Sequence, residues 1–203
     1  MNEGSDVLRN RWTICDGVHE AIRQLIPEQA VILEFGSGVG SVALSEKYSL
    51  HSIEHDIEWI GHAIKANYIH APIVKIEPIF PFSHDSWYDF EPILSSAPKA
   101  IDLILVDGPT GKIGRSGLLE IVDKLPSNAI WIIDDTLRTD ESELARQIAY
   151  KLRLNETRFW NFSILTRKPV SIAKIRAIRA VSDEVLESEE DEYLNQFFVT
   201  RGD

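Results

Sequence analysis

Apolar residues in this chain recur in two rhythms. Leu8, Trp12, Cys15, Val18, Ile22 and Leu25 fall three or four apart, which places them on one face of a helix ending near Pro27. Beyond it, short apolar runs alternate with amphipathic stretches. The runs predict strands at 30–35, 50–54, 72–77, 101–107 and 129–134, and the stretches predict helices at 39–48, 57–69, around 87–96, 116–125 and 141–154. Strands joined through helices run parallel, because a tight hairpin links only antiparallel neighbours. The run 156–168 breaks the alternation. Two β-rich pieces, 157–160 and 162–167, meet there with no room for a helix and predict an antiparallel edge pair. The expected fold class is α/β: a doubly wound, mostly parallel seven-stranded sheet with a C-terminal antiparallel strand pair.

Past Pro169, Ile172, Ile175, Ile178, Val181 and Val185 mark one more helix with a single apolar face, and residues 183–192 then hold seven acids. The chain divides on this reading into a main domain with its N-terminal helix, 1–170, and a helical acidic tail, 171–203. With 203 residues, 44% of them hydrophobic, it can bury one substantial core. Twenty-one basic against thirty-two acidic residues give a net charge of −11, a field that repels polyanions, so nucleic acid is not an expected partner. No apolar run approaches the roughly 20 residues of a membrane-spanning helix, and no secretory signal pattern opens the chain, so no membrane partner is expected. The lone Cys15 fits a reducing compartment, and the expected location is cytoplasmic. The oligomeric state is open, a homodimer included.

The stretch around Glu34-Phe-Gly36-Ser37-Gly38-Val-Gly40 joins a strand directly to a helix through alternate glycines. Glycines allow a tight turn and leave no side chain between the loop and a ligand, while the helix start presents free amides. Without a ligand the same glycines would make only a close strand-to-helix turn. Glu54 closes the next strand, where a carboxylate can accept both hydroxyls of a ribose. Together these motifs resemble the class I S-adenosylmethionine-dependent methyltransferases over roughly residues 10–168, and the terminal antiparallel pair suits the seven-stranded, Rossmann-like sheet of that family. The resemblance implies S-adenosyl-L-methionine as cofactor, held by Glu34, Gly36, Ser37, Gly38, Gly40, Glu54, His55 and Asp107. A nicotinamide-dependent oxidoreductase is the second reading, although Gly36-x-Gly38-x-Gly40 is one residue shorter than the usual dinucleotide fingerprint. A non-catalytic nucleoside-binding interaction module is the third.

Asp107 closes one further strand, and the pair Asp134-Asp135 closes another. In an open α/β sheet these ends border one crevice, where three carboxylates need a cation or protons to coexist. Hard oxygen ligands suit magnesium or another divalent cation. Alternatively, Asp134 caps a turn and Asp107 orients the Gly-Pro loop. The acids resemble those of metal-dependent O-methyltransferases of the catechol type. The loops Asp107-Gly-Pro-Thr-Gly111-Lys-Ile-Gly114-Arg115 and Asp134-Asp135-Thr-Leu-Arg138 are similar to those of plant glucuronoxylan 4-O-methyltransferases, which methylate an acidic sugar and usually carry His-Asp where this chain has Asp134-Asp135. The resemblance implies O-methylation of a small hydroxylated molecule, acidic or sugar-like ones included, with Asp107, Asp134 and Asp135 as metal ligands.

The remaining chemistry is a proton acceptor and a substrate grip. Lys112, with Asp107, is the first candidate for catalysis as the base; His19 and His84 are alternatives. Arg115 and Arg138 either grip a substrate carboxylate or neutralise the aspartates. Trp59, Trp87 and Tyr88 are aromatic candidates for the pocket, Trp59 first, and Glu77 or Asp85 is placed to read an adenine amino group.

Overall fold

The computed structural model describes residues 14–182; Leu8, Trp12, Val185 and the acidic run lie outside them. The order of elements is α1 (Asp16–Leu25), β1 (Val31–Phe35), α2 (Val39–Lys47), β2 (Ser49–Glu54), β3 (Asn67–His70), β4 (Ile73–Lys75), β5 (Ser86–Tyr88), α3 (Phe90–Ser96), β6 (Leu103–Val106), β7 (Ile130–Ile133), α4 (Thr139–Leu152), β8 (Asn155–Arg158) and β9 (Ser163–Thr166). A last helix, α5, covers 172–182.

The main sheet has seven strands in the order β3-β2-β1-β6-β7-β9-β8. Its first five strands are parallel, while β9 runs antiparallel to both β7 and β8. Chain order therefore reverses between β1 and β6, which leaves a crevice at their carboxyl ends.

Alternation along the central strands divides the core into two layers. In β6, Ile104 and Val106 point to one face with Phe35 and Trp131, where α3, α4 and the turns at Ser116–Glu120 cover them through Ile93, Leu144, Ile148 and Leu118. Leu103 and Leu105 point to the other, where Val18, Ala21 and Ile22 of α1, Leu44 of α2 and Ile178 of α5 close over them. Each fully buried branched aliphatic stabilises the fold by about 1.5–3 kcal/mol relative to exposure. This two-faced burial explains why the central strands read as continuous apolar runs. On the same face Lys174 Nζ donates to the Gln24 carbonyl, tying α5 to the end of α1.

Three expectations change. The stretch 57–69 forms turns followed by β3. Gly61 sits at φ +87°, Asp56 Oδ1 accepts the Glu58 amide in a tight turn, and Ile57 and Ile64 face outward, so their spacing does not mark a core face. The run 72–77 is not a main-sheet strand: β4 pairs antiparallel with β5 in a separate ribbon, and β5 occupies the start of the expected 87–96 helix. At 116–125 two short 3-10 turns, Ser116–Glu120 and Val122–Lys124, replace an α-helix. Gly117 lies so close to Trp87 that an added Cβ would come within 2.5 Å of it.

Candidate functional site

A cleft of about 850 Å³ lies along the carboxyl ends of β1, β2, β6 and β7. Its floor is a backbone crossing. Gly36 has φ +89°, and a Cβ there would come 2.6 Å from Gly108 Cα, so the loops after β1 and β6 touch through their glycines. Gly36, Ser37 and Gly38 line the cleft.

Glu54 closes β2 against that loop. Its Oε2 accepts the Ser37 amide at 2.8 Å, and its Oε1 accepts the amides of His55 at 2.7 Å and Asp56 at 2.8 Å. The His55 ring Nδ1 also lies 2.8 Å from Oε1, without the alignment of a hydrogen bond. Ser37 Oγ meets the Tyr68 hydroxyl at 3.0 Å, and that hydroxyl accepts the Ala63 amide, so the β2–β3 crossover is fastened to the glycine loop. Glycine loop, Glu54, His55, Asp56 and Trp59 thus share one side of the cleft.

Glu34 and Gly40 act from behind it. The Glu34 carboxylate is buried and accepts the hydroxyls of Ser41, at 2.8 Å, and Ser52; Ser41 Oγ in turn accepts the Gly38 amide at 2.9 Å. Burial raises Glu34 to about 7 against the pull of the two serines. Gly40 faces the N-terminal segment, with space for a Cβ taken by Ile14. Neither lines the cleft; both support the glycine loop from behind.

Asp107, Asp134 and Asp135 do converge, but around an arginine. Arg115 is almost wholly buried, with Nη2 at 2.8 Å from Asp135 Oδ2 and 3.4 Å from Asp107 Oδ1. The Asp134 carboxylate turns aside, its Oδ1 accepting the Asp135 amide at 2.9 Å. Burial raises Asp134 to about 6 and Asp107 well above the usual carboxylate range, Arg115 opposing the latter. Among the described residues no group of three or more His, Cys, Asp or Glu is arranged to hold a metal ion. A divalent cation needs several oxygens within about 2.6 Å, whereas these carboxylates are spaced around a guanidinium, so the residues present do not fit the expected metal. Of the two uses weighed for Arg115, the geometry shows neutralisation. Arg138, half exposed, pairs with Asp135 at 2.9 Å and Glu141 at 3.5 Å and lies across Gly111.

Lys112 lines the mouth of the cleft from the exposed loop after β6. His19, on α1, and His84, packed by Gly114, do not line it. Glu77 and Asp85 are also outside, Asp85 facing Lys75. Trp87 is core, stacked on Phe35, while Tyr88 lines the cleft floor with a buried hydroxyl that has no protein partner.

The structure adds residues that sequence reasoning missed. Asn161 reaches the cleft from the β8–β9 turn, because an antiparallel β9 brings that turn to the carboxyl edge; its carbonyl accepts the Thr136 amide at 2.8 Å. The hairpin was legible, but not which end of the sheet its turn would occupy. Cys15 also lines the cleft, its thiol pushed up to about 11 by burial and the Asp134 charge, so it stays protonated near neutral pH.

No protein-family model matches the chain, and no curated protein sequence does. Solved structures do. A methyltransferase-like protein from Silicibacter pomeroyi superposes with a TM-score of 0.51 at 18% identity, covering 83% of this chain and 95% of that one. An rRNA methylase from Streptococcus thermophilus gives 0.49 at 10% identity, over 75% of this chain and 95% of that one. The MycE methyltransferase of the mycinamycin biosynthetic pathway, solved with Mg and SAH, gives 0.46 at 14% identity, over 68% of this chain and 41% of that one. The chain has the Rossmann-like α/β fold of the methyltransferase-like protein.

Proposed function

We propose that the chain is an S-adenosylmethionine-dependent methyltransferase that O-methylates a small hydroxylated molecule, acidic or sugar-like ones included. One observation carries this reading: Glu54 and the glycine loop meet in the cleft, with the Ser37 amide on Glu54 Oε2 at 2.8 Å. The nearly buried carboxylate stands where a ribose can offer two hydroxyls, and the bare backbone of Gly36 and Gly38 lets a ligand lie against it. The cleft volume falls within the range of small-molecule sites. These residues fit an adenosyl group.

When bound, the cofactor supplies a methyl group already activated on a sulfonium. The chain's task is then to orient an acceptor hydroxyl and take its proton. Lys112, at the mouth, and Asp134, whose carboxyl burial holds above the usual range, line the cleft as the candidates for that proton. No step needs a divalent ion.

A transfer assay with labelled methyl donor over alcohols, sugar acids, phenols and RNA tests the reading. Label in a hydroxylated small molecule is expected. Label in RNA alone would overturn the acceptor class, and binding of reduced nicotinamide dinucleotide in place of S-adenosylhomocysteine would favour an oxidoreductase.

A further inference from the structure

The Arg115 guanidinium uses every hydrogen it has. Nε donates to the Pro109 carbonyl at 3.3 Å; Nη1 donates to the carbonyls of Val106 at 3.3 Å and Asp134 at 3.0 Å; Nη2 donates to the Asp107 carbonyl and to Asp135 Oδ2 at 2.8 Å. Glu141 Oε1 stands 3.8 Å from Nε. One side chain therefore joins the ends of β6 and β7 and faces three acids from different elements. Asp135 is held at φ +61°, a left-handed conformation that costs a residue with a Cβ roughly 1 kcal/mol, and its carboxylate meets Arg115, Arg138 and Asn161.

We propose that Arg115 is the resident cation of this carboxylate cluster, a positioning residue that fixes Asp107 and Asp135 beside the cleft and excludes a divalent ion from the place such an ion would take. The inference rests on the methyl-transfer reading for the purpose of the cluster, but not for its charge balance. A guanidinium seated between the carboxylates repels an incoming cation and already occupies Asp135 Oδ2, with Asp107 Oδ1 at 3.4 Å. Removing its charge without a replacement leaves Asp107, Asp134 and Asp135 with only the half-exposed Arg138, on Asp135, to offset their repulsion, a condition that a divalent ion relieves.

Manganese titration followed by electron paramagnetic resonance tests this on the whole chain at neutral pH. The wild-type protein is expected to take up no stoichiometric manganese, and its affinity for S-adenosylhomocysteine is expected to be the same with and without a chelator. Arg115→Gln is expected to gain one site per chain, with at least about tenfold higher affinity than any wild-type uptake. Arg115→Lys, which loses the same fork of contacts but keeps the charge, should gain none; uptake by both variants would make the effect one of packing and overturn the proposal. A folded Arg115→Gln that binds no manganese overturns it as well. Should that variant fail to fold, the wild-type titration decides: one tightly held ion per chain, or cofactor affinity lost on chelation, contradicts a resident arginine. Absence of S-adenosylhomocysteine binding to the wild type would instead count against the transfer reading, leaving the manganese result to stand.

Discussion

Glu34 shows how a residue legible in sequence can have a different task in space. Its carboxyl is raised from 4.5 to about 7 by burial, so between those values the folded chain holds a proton that the unfolded chain releases. The stability this contributes is full below 4.5 and is lost as pH rises through 7, a swing of up to about 3 kcal/mol. Glu34→Gln, which cannot ionise, should therefore gain on the wild type progressively from pH 4.5 to 7.5 in urea denaturation, and parallel curves for the two proteins would contradict it. Tyr88→Phe removes a buried hydroxyl that has no protein partner, so its unfolding free energy should stay level or rise by up to about 1 kcal/mol; a loss larger than that would reveal a bond the structure lacks. Gly36 and Glu54 were legible because backbone freedom and charge at strand ends leave signatures in sequence. The cluster's charge balance was not, because an aspartate at a strand end reads the same whether it faces a metal or Arg115.

At the scale of elements, β6 and β7, and β1 apart from Glu34, stood out because burial on both faces writes apolar runs, whereas β2 carries Leu50 and Ile53 among polar residues. The β2–β3 crossover misled for the opposite reason. Helix-like spacing of Ile57, Ile60 and Ile64 has no core face behind it, with Ile57 70% and Ile64 93% exposed. Ile64→Ser should accordingly change stability by no more than about 0.5 kcal/mol in thermal or chemical unfolding, whereas a buried helix face there would lose several times that. The 72–77 run failed similarly: three β-forming residues suffice for a ribbon with β5, and nothing local states which sheet they join. Turn length and pairing partner are settled by packing, such as Gly117 against Trp87, which no single segment contains.

For the whole molecule, the expected seven-stranded, mostly parallel sheet with an antiparallel pair is present, although its edge strand is β3 and not the 72–77 run. The last helix, α5, is part of the packed core. Ile178 is wholly buried with Val18 and Ile22, so Ile178→Ala should cost about 2–5 kcal/mol in unfolding free energy, and a cost near zero would mean that α5 does not dock. The cleft is assembled from parts distant in sequence: the parallel strands bring Glu54, Asp107 and Asp134 to one carboxyl edge, the antiparallel β9 adds Asn161 through its turn, and the start of α1 adds Cys15. The most direct measurement of its purpose is calorimetric titration of S-adenosylhomocysteine into the wild type and Glu54→Ala. One site per chain is expected, weakened about tenfold to hundredfold by the substitution as two hydroxyl partners are lost. Equal affinity in the two proteins, or no binding to either, would contradict it.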